Sequence, residues 1–334
     1  MKRRELITGL ASLPALRPQA VPAQQQGKRL RSSLRVGLMN AGSSSISFAR
    51  EALFGRLAEL GFAQGHNLTI DDELLPSLSG TAEYDEAYAG MVKRGADILL
   101  VLGPEVFLKS AVQAAASRVP IVFVAMDYDP LQSGHVASFA RPGRNVTGIF
   151  VRQPELAVKR LEMTRYVLPR ARRVALLWDG WVAQDQNEAS SAAAASYGFD
   201  LWSVEVGTER YNFPYAVDRV AKAGAEAIIL ASSPVYFNGR AGLALAALEH
   251  RLPLIAFARE FVEVGALMSY GVSYPGTWRY AADYVARIAK GADPADLPIE
   301  QPTRFELAVN GRTASSLDLS LTPALLGRAD EVIE

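Results

Sequence analysis

The chain of 334 residues contains no cysteine and only three histidines. The lack of cysteine excludes disulfide bonds, thiolate metal sites and cysteine nucleophiles. The histidines, His66, His135 and His250, are far apart in the sequence, and none has the spacing of paired metal ligands. The sequence also lacks a Gly-x-Ser-x-Gly nucleophile elbow and a phosphate-binding loop ending in Gly-Lys-Ser/Thr. These absences favour a protein that is not an enzyme and uses no cofactor or metal.

An excess of charge of either sign is missing too, because 35 basic residues balance 35 acidic ones. Binding to nucleic acid normally requires a clustered basic face, so we expect no nucleic-acid partner. Apolar residues make up 49% of the chain, which indicates neither disorder nor a membrane bundle. The length is about twice that of a usual domain, so each half is long enough to bury its own core.

The N-terminal segment shows the features of a signal peptide in their usual order. Twin arginines, Arg3 and Arg4, precede a short apolar stretch over 6–16, and Val21 and Ala23 stand where signal peptidase reads small residues. The apolar stretch is shorter than the roughly 20 residues needed to span a bilayer. We therefore expect residues 1–23 to be a twin-arginine-like signal peptide and 24–33 a flexible lead-in. The alternative is a frayed cytosolic tail.

The rest of the chain repeats itself in outline. Three segments that read as buried strands recur in the same order and at similar offsets in the second half. The matching segments are 34–40 and 173–179, 94–103 and 223–232, and 117–125 and 250–258. The repeat predicts two similar α/β lobes in tandem, and a cleft between two such lobes is a usual place for a small ligand.

Apolar runs and helical periodicity alternate along both halves. The predicted strands are 36–39, 67–71, 98–102, 121–125, 174–178, 201–206, 227–231, 254–258, 265–271 and 305–309. The predicted helices are 46–60, 82–94, 106–116, 155–167, 186–197, 215–223, 239–250 and 278–290, with a helical turn at 313–317. Continuous apolar strands separated by helices indicate a parallel sheet covered on both faces. The predicted fold class is α/β, with two Rossmann-like lobes that each contain a parallel sheet.

The C-terminal fragments are too small to fold alone, so we expect them to complete the two lobes. Lobe 1 is predicted as 34–147 plus about 265–297, and lobe 2 as 148–264 plus about 298–334. The chain then crosses between the lobes near 147–151, 261–271 and 298–305. Several crossings form a hinge, and a hinge permits the lobes to close around a ligand.

Longer motifs resemble one known family. The segments that carry the resemblance are 57–62 with Gly65 and Asn67, 119–123, 140–148, 258–263 with 267–271, 297–306, and 328–334. They are similar to the substrate-binding proteins of ABC importers in the tryptophan/tyrosine-type (ABC_sub_bind) family. The resemblance extends over nearly the whole chain after the signal-like segment.

This resemblance implies the type I periplasmic binding fold, with three hinge crossings and the ligand held between the lobes. It also implies a periplasmic location and docking onto the membrane permease of an ABC importer. The predicted function is capture of a small molecule, an amino acid or an aromatic or planar carboxylate, by a protein expected to be monomeric. One alternative is a two-lobed, transferase-like enzyme that uses the same cleft. Another is a ligand-sensing protein of the same fold, although residues 1–33 do not read as a DNA-binding helix pair.

Ligands of open parallel sheets lie beyond the carboxyl ends of the strands, so the loops at those ends supply the candidates. After the first strand, Asn40 and the serines Ser43, Ser44 and Ser45 lead into a helix. Free N–H groups and the helix dipole at that position suit a carboxylate. The alternative is ordinary capping of the helix by one serine.

Two further loops of lobe 1 carry candidates. Gly103 and Glu105 follow the third strand, where relatives usually have Thr or Ser and small residues. Glu105 would compete with an anionic ligand or pair with an ammonium group, or it would simply favour the helix dipole as an exposed residue. Asp127 and Tyr128 follow the next strand and could hold an amine or hydroxyl, although Asp-Pro turn formation explains part of that motif.

Lobe 2 concentrates aromatic residues after its strands, where core packing would favour aliphatic ones. Its candidates are Trp178, Asp179, Trp181, Ser232, Tyr236, Phe257 and Glu260. Tyr270, after its own short strand, is a further candidate for the cleft. A planar ligand stacked on Trp178, Trp181 or Tyr236 would gain about 1 kcal/mol for each good pair. The alternative is that these rings close the lobe interface without a ligand. Glu260 or Asp127 would take an ammonium group of the ligand.

Export with cleavage near Ala23 is the first testable prediction. N-terminal sequencing of the protein from the extracytoplasmic fraction of expressing cells should start close to Gln24, because the small residues before it form the cleavage site. Replacing Ala23 with a bulky residue should retain the precursor. Recovery of the full-length chain from the cytoplasm alone would contradict this prediction.

Overall fold

In the computed structural model, the residues described are 33–41, 47–75, 80–126, 128–206 and 212–334. Strands and helices alternate through most of them. The strands are β1 (Leu34–Ala41), β2 (Leu68–Leu75), β3 (Ile98–Leu102), β4 (Ile121–Ala125), β5 (Val146–Phe150), β6 (Arg173–Trp178), β7 (Asp200–Glu205), β8 (Ala227–Leu230), β9 (Leu254–Ala256), β10 (Met268–Gly271), β11 (Glu306–Asn310) and β12 (Glu331–Ile333).

The helices fill the connections between these strands. They are α1 (Ser47–Glu59), α2 (Thr81–Lys93), α3 (Glu105–Ala115), α4 (Gln153–Val167), α5 (Gln184–Ala194), α6 (Phe213–Lys222), α7 (Pro234–Asn238), α8 (Arg240–Glu249), α9 (Arg259–Glu263), α10 (Tyr274–Ala289), α11 (Gly311–Ser316) and α12 (Pro323–Leu326), with 3₁₀ turns at Ala195–Tyr197 and Pro294–Asp296. The predicted elements are present, mostly within two residues of their expected ends. The short elements β5, α7, α9, α12 and β12 were not predicted as strands or helices.

The strands form two sheets, one in each lobe, which confirms the predicted fold class. Among the described residues, lobe 1 has the order β2-β1-β3-β4-β5 and lobe 2 the order β12-β11-β10-β9-β8-β6-β7. Every neighbouring pair is parallel except β10 and β11, which are antiparallel. The expectation of purely parallel sheets therefore fails at this pair, because the last part of the chain enters lobe 2 from the opposite direction.

Burial explains why the inner strands are continuously apolar. All residues of β4 and of β8 are buried, since helices cover both faces of each sheet. In lobe 1, one apolar cluster joins the sheet to α1 and α10, and the other joins it to α2 and α3. In lobe 2, α4 and α5 cover one face, and α6 to α9 cover the other.

The duplication predicted from the sequence extends to individual hydrogen bonds. The order β2-β1-β3-β4-β5 of lobe 1 matches β7-β6-β8-β9-β10 of lobe 2. Before β3, the amide of Asp97 donates to the carbonyl of Arg35, and its carboxylate accepts from the amide of Arg35. Before β8, Glu226 makes the same two contacts with Arg173. The two lobes therefore repeat a structural unit and not only a hydrophobic pattern.

Each lobe also contains one position where only glycine fits against a neighbouring strand. A Cβ atom on Gly148 in β5 would lie 2.0 Å from the carbonyl oxygen of Phe123 in β4. A Cβ on Gly271 in β10 would lie 2.0 Å from the carbonyl oxygen of Phe257, which follows β9. Because β5 corresponds to β10 in the two sheets, this steric requirement is also duplicated.

Three chain segments connect the lobes, at 151–152, 272–273 and 301–305. β5 belongs to the first sheet and β10 to the second, so the changes of lobe come a few residues later than the sequence suggested for the first two crossings. The third leaves lobe 1 after Glu300, which bridges to Ile149, and reaches lobe 2 at β11. Residues 148–150, predicted in lobe 2, therefore lie in the sheet of lobe 1, and residues 268–271, predicted in lobe 1, lie in the sheet of lobe 2.

A small apolar cluster lies where these segments meet. Val151, Leu156 and Val272 are buried together, and Met126, Tyr270 and Phe305 pack against them while remaining partly exposed. The cluster takes residues from all three crossings. Side chains from both lobes therefore share one packed contact at the hinge.

Helix α10, which follows the second crossing, is fixed to lobe 1 by ion pairs as well as by its apolar face. Glu59 at the end of α1 accepts from Arg279 at 2.8 Å and from Arg56 at 2.8 Å, and Arg56 also binds Asp283 at 2.8 Å. The hydrogen bonds from Arg279 and Arg56 lower the pKa of Glu59 to about 2. All four side chains are partly exposed, so salt will weaken the network.

This network predicts an acid-sensitive contribution to stability. Because the pKa of Glu59 is lower in the folded chain than its ordinary value of 4.5, its stabilising effect is complete above about pH 4.5 and is lost as pH falls towards 2. Glu59→Gln should lower the free energy of unfolding at pH 7 and leave it less dependent on pH below 4.5. Urea unfolding at pH 7, 4 and 3 measures both effects. Glu51→Gln, on an exposed carboxylate of the same helix, is the control, and equal behaviour of the two variants would contradict the prediction.

Candidate functional site

The predicted site residues lie at the carboxyl ends of the strands, the edge where open parallel sheets bind ligands. Of the candidates whose side chains the structure describes, most lie in or just after β6, β8 and β9 in lobe 2, Tyr270 lies in β10, and the others follow β3 and β4 in lobe 1. The structure also contains a cavity of about 390 Å³ at the opposite, amino-terminal end of lobe 1, lined by Leu34, Arg118 and Asn145 among others. That cavity contains none of the candidates, and the duplicated strand-end loops remain the better site.

Asp179 organises the loop after β6. Its side chain is completely buried; Oδ1 accepts a hydrogen bond from the amide of Trp181 at 3.0 Å, and Oδ2 accepts one from the hydroxyl of Ser233 at 2.6 Å. The same hydroxyl of Ser233 caps helix α7 by accepting from the amide of Val235 at 3.1 Å. Asp179 therefore joins the loops after β6 and β8 and fixes the backbone that presents Trp181.

Ser232, in the loop after β8, is held through its backbone by a glutamine. Oε1 of Gln186 accepts from the amide of Ser232 at 2.7 Å, and Nε2 of Gln186 donates to its carbonyl at 3.1 Å. Oε1 also accepts from Nη2 of Arg160 at 3.2 Å. All three residues are buried. The side-chain amide of Gln186 thus makes the two backbone hydrogen bonds that a neighbouring strand would make if the sheet continued past Ser232.

The aromatic candidates of lobe 2 divide into exposed and buried side chains. Trp181 is 42% exposed, so its ring is available to a ligand. Trp178 is half-buried against the core beneath α4 and α5. Tyr236 and Phe257 lie inside the other core, where Tyr236 packs edge-on against Phe213 at 5.7 Å between ring centroids. The hypothesis that a ligand stacks on Tyr236 therefore does not fit this structure, and Phe257 likewise serves the core.

Glu260 is a buried carboxylate at the edge of the sheet. It lies in the first turn of α9, just after β9, and is 7% exposed. Within the described residues it forms no ion pair, although Arg259 and Arg240 are near enough to act on its charge. Burial is the main cause that raises the pKa of Glu260 above its ordinary value, and the neighbouring Glu263 adds to it. A desolvated carboxylate of this kind is suited to a cationic group of a ligand.

Glu105 in lobe 1 already has partners. Its Oε1 lies 3.0 Å from Nε2 of His135 and 3.1 Å from Nζ of Lys109. Partial burial acts to raise the pKa of Glu105, but hydrogen bonds from Lys109 and His135 outweigh it and leave the pKa below its ordinary value. The carboxylate of Glu105 therefore already has hydrogen-bond partners inside lobe 1. This fits neither the prediction that it contacts the ligand nor the alternative that it is an exposed residue at the helix N-terminus. Tyr128 is buried beside His135 and packs in the same core.

Two candidates have local structural roles. Gly103 has a φ of +152°, and a Cβ on it would lie 2.6 Å from the ring of Phe107, so the position requires glycine. Tyr270 is half-buried at the hinge cluster, with its ring 6.0 Å from that of Phe305. Its carbonyl accepts a hydrogen bond from Arg160 at 3.3 Å.

Some predicted residues fall outside the described part of the chain. They are the serines Ser43, Ser44 and Ser45, together with Asp127. The backbone of Asn40 lies in β1 beside Leu74 of β2, and its side chain is not among those described. The carboxylate site expected at the serine loop therefore stays a prediction.

The sequence reading missed Arg160, Gln186, Ser233 and His135, which organise the candidates. Arg160 and Gln186 lie inside helices α4 and α5, remote in sequence from the strand-end loops that they contact. The sequence did contain a signal for Arg160, because it stands between Ala157 and Leu161 on the apolar face of a predicted helix, where an arginine is unusual. In the described ranges, no cluster of three or more acidic or histidine side chains is arranged to hold a metal ion. No helix in those ranges has the length and hydrophobicity needed to cross a membrane.

Comparisons with known proteins agree with this architecture. The family described as ABC transporter substrate binding protein matches residues 49–333. A tyrosine-binding protein of Clostridioides difficile (strain R20291) is 22% identical over 284 residues, which are 82% of this chain and 78% of that protein.

Solved structures show the same fold. A conserved domain protein from Vibrio cholerae O1 biovar El Tor is 22% identical, with a TM-score of 0.78 over 90% of this chain and 99% of that one. The ABC domain from Streptococcus pneumonia, solved in complex with L-Trp, is 19% identical, with a TM-score of 0.75 over 90% of this chain and 100% of that one. The family match covers both lobes and all three crossings, and the chain belongs to the ABC transporter substrate-binding protein family.

Proposed function

We propose that this protein is the extracytoplasmic solute receptor of an ABC importer. It would capture a small molecule between its lobes, close around it and deliver it to a membrane permease, as a monomer and without chemical change to the ligand. The export signal expected at residues 1–23 supports a periplasmic location, reached by the twin-arginine route. The family membership supports the transport role. The strand-end loops of the two lobes supply the binding surface.

The proposed ligand is an amino acid, preferably one with an aromatic or planar side chain. Glu260 carries this proposal, because it is a buried carboxylate at the sheet edge that forms no ion pair with any described residue, and an ammonium group would stabilise it. Trp181 offers an exposed indole ring on a backbone fixed by Asp179, which suits stacking of a planar group. Relatives named for tyrosine binding or solved with L-Trp are consistent with this ligand class.

Lobe closure would depend on the three crossings. The short segments at 151–152 and 272–273 change direction between elements that are rigidly packed in their own lobes. Small rotations there would bring the loops after β3 and β4 towards those after β6, β8 and β9. Such hinge motion is the usual way in which periplasmic binding proteins enclose a ligand.

Closure predicts a measurable change of shape. Small-angle scattering of the mature protein should give a smaller radius of gyration with a saturating ligand than without it. The ligand would first be selected by a thermal-shift screen of amino acids, aromatic acids and purines, because binding to the folded state raises apparent stability. Recovery of the bound compound unchanged after long incubation would agree with a binding role, whereas turnover by the pure protein would establish an enzyme.

The cleft assignment predicts the effect of two substitutions. Glu260→Gln removes a charge-assisted contact worth roughly 1.5–3 kcal/mol and should weaken binding of L-tyrosine or L-tryptophan about tenfold or more. Because the pKa of Glu260 is raised, its carboxylate takes up a proton at a higher pH than an ordinary glutamate does. The affinity of the wild type should therefore already fall at that higher pH, and the affinity of the Glu260→Gln variant should not show this fall. Trp181→Ala should weaken binding about fivefold by removing a stacking contact of about 1 kcal/mol.

Titration calorimetry measures these changes, and the chain offers a matched control for each. Glu263→Gln removes a carboxylate from the same helix, but one that is paired with Arg259 at 2.8 Å. Tyr280→Ala removes a ring that is 44% exposed on α10, similar in exposure to Trp181. If both cleft variants bind like their controls, the assignment of the cleft is wrong even though the family membership stands.

A further inference from the structure

A second buried charge lies at the same edge of lobe 2. The guanidinium of Arg160 is 0% exposed and donates to neutral acceptors, the carbonyl of Tyr270 at 3.3 Å and Oε1 of Gln186 at 3.2 Å. Among the residues that the structure describes, no carboxylate pairs with it, and its Nε has no hydrogen-bond partner. Burial lowers the pKa of Arg160 to about 9. Besides an electrostatic interaction with Tyr274, its described hydrogen-bond acceptors are neutral, and an interior cation of this kind is costly to keep, so its position calls for an explanation.

The contacts of Arg160 locate its charge with respect to the strand ends. Tyr270 is in β10, and Gln186 holds the backbone of Ser232 after β8. Strand β9 runs between β8 and β10, and Glu260 follows β9. The guanidinium therefore lies behind the ends of three adjacent strands, at the edge where the ligand is proposed to bind. The indole Nε1 of Trp178, at the end of β6, is another buried donor without a partner in this part of the lobe.

Arg160 and Glu260 carry opposite charges and do not neutralise each other. Arg160 is on α4, which covers one face of the sheet, and Glu260 begins α9, which packs on the other face. Neither forms an ion pair within the described part of the chain. In the part of the chain that the structure describes, lobe 2 thus holds one buried cation and one buried carboxylate along a single sheet edge, each without an ion pair. A zwitterion such as an α-amino acid carries the complementary pair.

We propose that Arg160 is a specificity-determining residue, whose buried positive charge selects ligands that carry a carboxylate. The inference rests on the function proposed above and deepens it, because it names a residue of lobe 2 whose positive charge complements the carboxylate of the ligand. Arg160 acts through its electric field and through the Gln186–Ser232 contact, since its own side chain is enclosed. Charges in a poorly solvated interior interact over longer distances than charges in water. A ligand without a carboxylate gains nothing from this field, and selection follows from that difference in affinity.

The test compares an acid with its neutral amide. L-tyrosine and L-tyrosinamide differ only at the carboxylate, and calorimetry is done at a pH where both amines are protonated. Wild type should prefer the acid by at least about tenfold. Arg160→Met and Arg160→Gln, which remove the charge, should reduce this preference to less than about threefold, whereas Arg160→Lys should retain most of it.

The ratio of the two affinities separates selection from structural support. A purely structural Arg160 would weaken acid and amide alike in all three variants and leave the ratio unchanged, which would overturn the inference. Wild type that binds the amide as tightly as the acid would also overturn it, as would failure of both neutral variants to fold. If wild type binds no amino acid or carboxylate at all, the proposed ligand class fails and the inference fails with it; the other outcomes leave that class intact.

Discussion

The two lobes are held together at one packed contact, where Val151, Leu156 and Val272 lie buried among side chains from all three crossings. Apolar packing tolerates small rotations better than a polar network would, because its contacts are non-directional. Such a contact is compatible with the rotation of the lobes proposed above.

Around this contact, a duplicated scaffold carries loops that have diverged. The two sheets share strand order, the carboxylate contacts before β3 and β8, and the glycine positions in β5 and β10. The loops differ in their charges. Glu105 in lobe 1 forms an ion pair with Lys109 and a hydrogen bond with His135, whereas Glu260 in lobe 2 forms no ion pair within the described residues. Of these two candidate glutamates, only the one in lobe 2 is without an ion pair in the described part of the chain.

The sequence predicted what depends on local pattern and failed where distant side chains decide. Continuous apolar runs identified β3, β4 and β8, and the internal repeat correctly indicated two lobes. The orientation of Tyr236 could not be predicted, because the short helix α7 turns its ring into the core through a cap at Ser233. Gln186 lies 46 residues before Ser232, so no spacing rule connects them. The expectation that ligands bind beyond the carboxyl ends of the strands identified the candidate loops. Which of their side chains remain exposed became clear only from the packing in the structure.

The glycines at 148 and 271 have a consequence for motion. Each allows its strand to approach the neighbouring carbonyl so closely that no side chain fits between them, at the third of the five residues of β5 and at the last residue of β10. The chain leaves those strands within three residues of Gly148 and one of Gly271. Any rotation at the first two crossings would therefore take place immediately beyond the sheets, in segments of two residues, 151–152 and 272–273. If the lobes close as proposed, each would turn as a rigid body, and a small angular change beside the sheet would become a large displacement at the rim of the cleft.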